Sequence, residues 1–284
     1  MEAVVLALCS AALFGAMTVA LRPALAHGGD PLAGALTTVV PALCVALAAA
    51  TVAGAWHDVG AVWPFALAGL IAPGVSQTLF TLAVRDAGPS RTSATAGTAP
   101  LFAVTFAIVL LDEPLVAGIV LGAVLIVGGG VALASERDRP EHVKVSGLLL
   151  ALAAALAFAL RDTLARWLAE DTHVAPELAI SATLAAGTAA MLVTLLVTRR
   201  RVPGLRAWVP FVPPGVLFGL SYVSLYEAFY RGRLSVVSPL VATESLFGVG
   251  LSALFLRHVE GVGRRLVLGA GLVVAGGILI GLSR

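Results

Sequence analysis

The second half of this 284-residue chain repeats the first, and the repeating unit is a run of five apolar segments. Val120-Leu-Gly-Ala-Val-Leu-Ile-Val-Gly-Gly-Gly-Val-Ala-Leu133 aligns with Val267-Leu-Gly-Ala-Gly-Leu-Val-Val-Ala-Gly-Gly-Ile-Leu-Ile280, identical at eight of fourteen positions. Upstream the register holds at a spacing of about 145: Phe14 with Phe158, Arg22 with Arg166, Pro31 with Pro176, and Leu101-Phe102 with Leu246-Phe247. If every segment crosses a bilayer, an odd number of crossings per copy makes the second copy enter from the opposite side.

The composition calls for that bilayer. Hydrophobic residues make up 59% of the chain and charged residues 12%, with a mean hydropathy of +1.00. Soluble domains carry about a quarter charged residues. A run of ~20 apolar residues spans the hydrocarbon core, and the chain offers ten such segments, at 2–21, 32–54, 63–83, 92–111, 114–134, 146–168, 176–198, 208–229, 235–256 and 265–282. The expected fold is an all-α membrane protein of ten transmembrane helices in two inverted five-helix repeats, 1–134 and 146–284, joined by a linker at 135–145. Inverted repeats of this kind build alternating-access machines, with the site near the midplane where the halves meet.

The first segment carries Glu2 and no basic residue ahead of a long apolar run, so it reads as a helix rather than a cleaved signal. Trp56, Trp63, Trp167 and Trp208 all fall at segment ends, where indoles favour the headgroup level. Cys9 and Cys44 lie inside segments, which speaks against a disulfide. The five His residues lie in loops or at segment ends, leaving no deep metal ligands. No cofactor is expected. No nucleotide-binding motif occurs either, which argues against ATP-driven transport by this chain alone. The odd-numbered loops hold 13 Lys and Arg and the opposite side four, so the positive-inside rule puts the odd loops in the cytoplasm and both termini outside.

Ionisable groups within a span cost ~2.5–3.5 kcal/mol each on insertion scales and are functional candidates for that reason. Glu244 lies near the middle of the ninth segment, and Arg161 and Asp162 about two-thirds along the sixth. Their repeat mates are Ala99, Met17 and Thr18, so the charges are asymmetric additions to a symmetric frame. At ~1.5 Å per residue, Arg161, Tyr222 and Glu244 sit ~7, ~6 and ~2 Å from the midplane on the same side, close enough to share a cavity. Arg161 suits a carboxylate or phosphate, gripped through two parallel hydrogen bonds. Glu244 suits an ammonium group or an exchanged proton, and Asp162 holds Arg161 in place. The bland alternative is that the charges merely neutralise one another.

In the eighth segment Tyr222, Tyr226 and Tyr230 recur at i, i+4 and i+8, one face of a helix. The aligned positions of the third segment are Gln77, Thr81 and Arg85, so that face is polar in both copies and fits the lining of an aqueous path. Tyr230, at the membrane edge, reads as an anchor, and Glu227 as solvated. Ser90 to Thr98 and Ser235 to Pro239, with Ser238 as a candidate ligand, can serve close packing or hydrogen-bond a substrate. Pro73, Pro100 and Pro239 can kink helices around a cavity. Gly118-x-x-x-Gly122 and Gly277-x-x-x-Gly281 read as packing seams between the fifth and tenth segments.

A short loop, Leu111-Asp-Glu-Pro-Leu115, has a weaker mate in Arg257-His-Val-Glu260, and the fifth and tenth segments are Gly-rich. By these features the whole chain resembles an EamA-type member of the drug/metabolite transporter superfamily. Thr98-Ala-Pro-Leu-Phe102 keeps the Pro of the family's Glu-Pro pattern and lacks the Glu; Thr243-Glu-Ser-Leu-Phe247 keeps the Glu and lacks the Pro. The resemblance implies a secondary transporter, and in particular an exporter of a small organic metabolite such as an amino acid. It also implies both termini inside, against the charge count. The expected setting is a multi-pass protein of a bacterial inner or plasma membrane, monomer or homodimer, whose partners are lipid, a small substrate and a coupling proton. Nucleic acid is not among them. An uncoupled channel or structural protein, which has no use for deep charges, is the alternative. An intramembrane enzyme would need a catalytic dyad or metal set that the spans lack.

Overall fold

The computed structural model describes residues 2–26, 30–99, 101–103, 105–106, 116–134, 144–170, 172–232, 237, 240–256 and 263–283. Several sequence features lie outside those residues: the 135–143 linker, Leu111–Leu115, Arg257–Glu260, Pro100, Ser235, Ser238 and Pro239. The described residues are helical, with no strand among them. The first half contributes α1 (Glu2–Ala26), α2 (Pro31–Ala53), α3 (Trp63–Gly69), α4 (Ser76–Ala87), α5 (Pro89–Ala96) and α6 (Ala117–Ala134). The second half contributes α7 (Val145–Glu170), α8 (Pro176–Val197), α9 (Val212–Arg231), α10 (Glu244–Phe255) and α11 (Arg264–Leu282).

Among the described residues, six stretches are long and apolar enough to cross a membrane: Glu2–Ala26, Pro31–Ala53, Trp63–Ala87, Val145–Ala169, Pro176–Val197 and Leu205–Arg231. The other four expected crossings are represented by α5, α6, α10 and α11. α5 and α10 are short because their helices give way to turns at Gly97-Thr98 and Ala242-Thr243. Small and hydroxyl residues there lend little to helix propagation.

Local chemistry sets the other boundaries. α2 starts at Asp30, whose side chain accepts from the Leu32 N–H, with Pro31 in the first turn, and it stops at Gly54 in the left-handed region. Between α3 and α4 the helix breaks at Ala72 (φ −142°, ψ 117°), just before Pro73. Gly88, at φ 82°, turns the chain from α4 into α5, a conformation open to glycine at little cost.

The two halves interlock by exchange. α1 runs antiparallel to α9, with Ser10 against Ser221, Phe14 against Phe218 and Ala3 against Gly232. The mate contact pairs α7 antiparallel with α4, through Phe158 on Phe80 and Gly147 on Ala87. A Cβ on Gly219 would fall 2.8 Å from Val45 Cβ and 2.9 Å from Ala42 Cα; one on Gly74 would meet the repeat mates of those residues, Ala190 and Gly187. α6 and α11 cross at backbone contact through two reciprocal pairs, Gly122 with Gly276 and Gly129 with Gly269, where added Cβ atoms would fall 2.5–2.7 Å from facing carbonyl oxygens. Gly118 and Gly122 thus take part in the expected seam, Gly118 against Ser283, while on α11 the contacts run through Gly269 and Gly276 in place of the expected Gly277 and Gly281. Each contact and its mirror image imply a pseudo-twofold axis through the bundle, and Phe14 and Phe158 meet each other near it at 5.7 Å.

The outer surface is apolar, as a lipid-facing surface must be: Val124, Leu149, Leu196, Val197, Leu254 and Leu268 are all more than half exposed. Trp63 and Trp167 are exposed at helix ends, and the Trp208 indole donates to Pro203 O. Cys9 and Cys44 are free and exposed.

Candidate substrate site

Four aromatic rings fill the centre of the bundle. Phe14 of α1 packs edge-on against Phe80 of α4, Phe158 of α7 and Phe218 of α9, with centroids 5.1, 5.7 and 6.0 Å apart. Against this floor lies a cavity of about 30 Å³, lined among others by Ser10, Phe158, Arg161, Asp162, Tyr222 and Glu244. Ala99, the repeat mate of Glu244, also lines it. A water needs ~10–15 Å³ of such space, so the cavity holds a water or two and nothing larger.

Arg161 is the principal charge. It is 2% exposed, with its guanidinium carbon 4.6 Å from the Tyr222 ring centroid and 6.0 Å from that of Phe158. Its Nε lies 2.6 Å from Asp162 Oδ1, an ion pair whose N–H is poorly aligned for a hydrogen bond. Arg161 Nη1 and the Tyr222 hydroxyl also lack hydrogen-bond partners. Buried donors are almost always satisfied, so an unsatisfied cluster in a cavity calls for an explanation. Glu244, 8% exposed at the first turn of α10, faces the same space; no described residue makes an ion pair or hydrogen bond with its side chain. Arg161 is thus tied to Asp162, leaving Glu244 as the separate acid.

The remaining sequence candidates lie elsewhere. Gln77 and Thr81 are fully buried on α4, their side-chain polar atoms unpartnered, but they do not line the cavity. Phe80 takes α4's place at the centre, with Gln77 and Thr81 to either side of it. Tyr226 stacks on Tyr222 at 6.2 Å and places its hydroxyl 3.1 Å from Thr183 Oγ1; it is not among the residues that line the cavity. Glu227 is not solvated as expected: it is 9% exposed and pairs with Arg231 at 2.8 Å across one helical turn. Arg91, counted among the loop charges, is 1% exposed in α5, because the Gly88 turn starts that helix earlier than expected and carries Arg91 inside. Twelve odd-loop basic residues still outnumber the four opposite.

Two polar cavity residues, Ser10 and Ser221, were missed from the sequence. Ser221 donates to Ser10 O at 2.9 Å and its hydroxyl lies 3.1 Å from that of Ser10. Ser10 is a lone hydroxyl in an apolar run and Ser221 neighbours Tyr222; the mutual burial of the two was the missing signal. Among the described residues no three His, Cys, Asp or Glu converge on a possible metal.

Comparison with known proteins fits this architecture. The model of the EamA-like transporter family matches residues 1–135 and 145–282, nearly the whole chain in two copies. The chain belongs to the EamA-like transporter family. A crystal structure 21% identical in sequence covers 98% of this EamA-like protein and 95% of its own chain, with a TM-score of 0.69, a likeness of fold. No curated protein matches the chain. This EamA-like chain is accordingly a multi-pass membrane transporter, with its cavity where the two family repeats meet.

Proposed function

We propose that the chain is a secondary active transporter of a small carboxylate-bearing metabolite, such as an amino acid, working by alternating access in a bacterial cell membrane. The observation that carries this reading is Arg161, buried yet with guanidinium donors unpartnered, beside the unpartnered Tyr222 hydroxyl and across a cavity from Glu244. A carboxylate takes two parallel hydrogen bonds from a guanidinium and can take a third from a phenol. Glu244 then meets an ammonium group, or carries a proton in exchange. Substrate carbon lies against Phe14, Phe158, Leu225 and Val241, the apolar part of the lining. A 30 Å³ space excludes such a molecule, so the halves have to part to admit it. Export is the direction that the family resemblance implies.

The test is transport in proteoliposomes, preceded by a thermal-shift screen of the purified protein against amino acids and small carboxylates. A proton gradient should drive accumulation by the wild type and not by Glu244→Gln. Wild-type rates in the double variant Arg161→Met, Glu244→Gln would remove both residues from the mechanism.

A further inference from the structure

Two arginines make the same bond at opposite ends of the molecule. Arg22, near the end of α1, donates from Nη1 to the carbonyls of Val84 (3.2 Å) and Arg85 (2.7 Å) in the last turn of α4. Its repeat mate Arg166, towards the end of α7, donates from Nη1 to the carbonyl of Phe229 (2.9 Å) in the last turn of α9. Val84 and Phe229 are themselves mates at the spacing of 145, so the repeats share this bond almost atom for atom. The last four carbonyls of a helix have no partner within it and carry the negative end of its dipole, which suits a guanidinium.

Helix capping alone does not require the cap to come from another helix. Here each arginine ties the first helix of a repeat to the C-terminal end of the third. Since α1 and α9 run antiparallel, as do α4 and α7, the Arg22 tie and the Arg166 tie lie at opposite faces of the bundle. Both ties are made in a structure whose central cavity, as lined by the described residues, measures about 30 Å³, too small for a metabolite. Outside the first tie, Arg22, Pro23, Leu25, Ala26, Arg85 and Leu256 line a second cavity of about 400 Å³, large enough for a metabolite. Arg22 lies ~12 Å along α1 from Phe14 at ~1.5 Å per residue, between that vestibule and the aromatic floor.

We infer that Arg22 and Arg166 are the two gate latches of the transport cycle, each closing one mouth of the central site, with only one released at a time. The inference rests on the alternating-access reading. A released latch returns its guanidinium and helix-end carbonyls to water in the opened mouth, so opening leaves no polar group stranded. The duplicated bond gives both mouths the same closure, as exchange between inward- and outward-open forms of an inverted repeat requires.

The experiment uses Ala99→Cys, inside the cavity, as a reporter in a Cys9→Ser, Cys44→Ser background. A membrane-impermeant thiol reagent is applied to one face at a time, in right-side-out and inside-out vesicles. Arg22→Ala should raise labelling from the Arg22 face by about tenfold or more, and Arg166→Ala from the other face, the shift expected when a charge-assisted bond holding one state is lost. Arg22→Lys and Arg166→Lys, which keep one donor and the charge, should fall between and stand in if an Ala variant does not fold. The double Ala variant should label from both faces and leak. Effects on the same face, or none, would overturn the latches while leaving transport intact, provided the parent labels from each face in turn. Labelling from one face only, or from neither, in every background would overturn alternating access itself and the latches with it.

Discussion

Replacing Arg161 by Lys separates substrate grip from structural charge balance. Lysine keeps the positive charge beside Asp162 and can still approach the Tyr222 ring, which Arg161 meets at 4.6 Å. What it loses is the planar fork, so that a bound carboxylate keeps one charge-assisted hydrogen bond in place of two. A hydrogen bond to a charged group is worth ~1.5–3 kcal/mol, and 1.4 kcal/mol is about tenfold in affinity. Arg161→Lys should therefore weaken binding by ~10–150-fold while the protein folds normally. Arg161→Met does something different: it leaves Asp162 without its ion-pair partner beside the buried Glu244, at a cost of ~3–5 kcal/mol in stability. Adding Glu244→Gln to it should recover part of that stability and none of the transport. The assay is thermal unfolding of the purified protein with and without the compound that stabilises the wild type, followed by uptake in proteoliposomes. Binding and transport by Arg161→Lys at wild-type levels would refute the forked grip.

Tyr222→Phe removes a hydroxyl that has no partner, so thermal stability should hold while substrate affinity falls. Tyr226→Phe removes the bond to Thr183 and should do the reverse, costing about 0.6–1.5 kcal/mol of stability with binding little changed. Gly276→Ala places a Cβ 2.5 Å from Gly122 O; prising α6 and α11 apart should cost ~1–3 kcal/mol, read as a lower unfolding temperature, and Gly250→Ala, which meets nothing, serves as the control. A C-terminal reporter active only in the cytoplasm should stay silent if the basic loops face inward; a strong signal would reverse that orientation.

The bilayer class, the order of the apolar segments and the inverted repeat were legible in the chain because each rests on local chemistry. Apolar length sets a span, and recurrence at about 145 residues sets the duplication. The rarity of charge within a span was enough to single out Glu244, Arg161 and Asp162. Which groups meet was decided by packing. Phe80 takes the central position on α4, so the polar face shared by Gln77 and Tyr222 reaches the cavity from only one of its two copies. The turn at Gly88 draws Arg91 inside, although its neighbours read as a loop. Glu227 is buried by its neighbours and paired with Arg231 for the same kind of reason. Periodicity says which residues share one helix face; only the docking of α1 on α9 and α7 on α4 says what that face meets. That docking also aligned Arg22 and Arg166 with helix ends more than sixty residues away, a pairing between side chain and backbone that leaves no mark in the sequence.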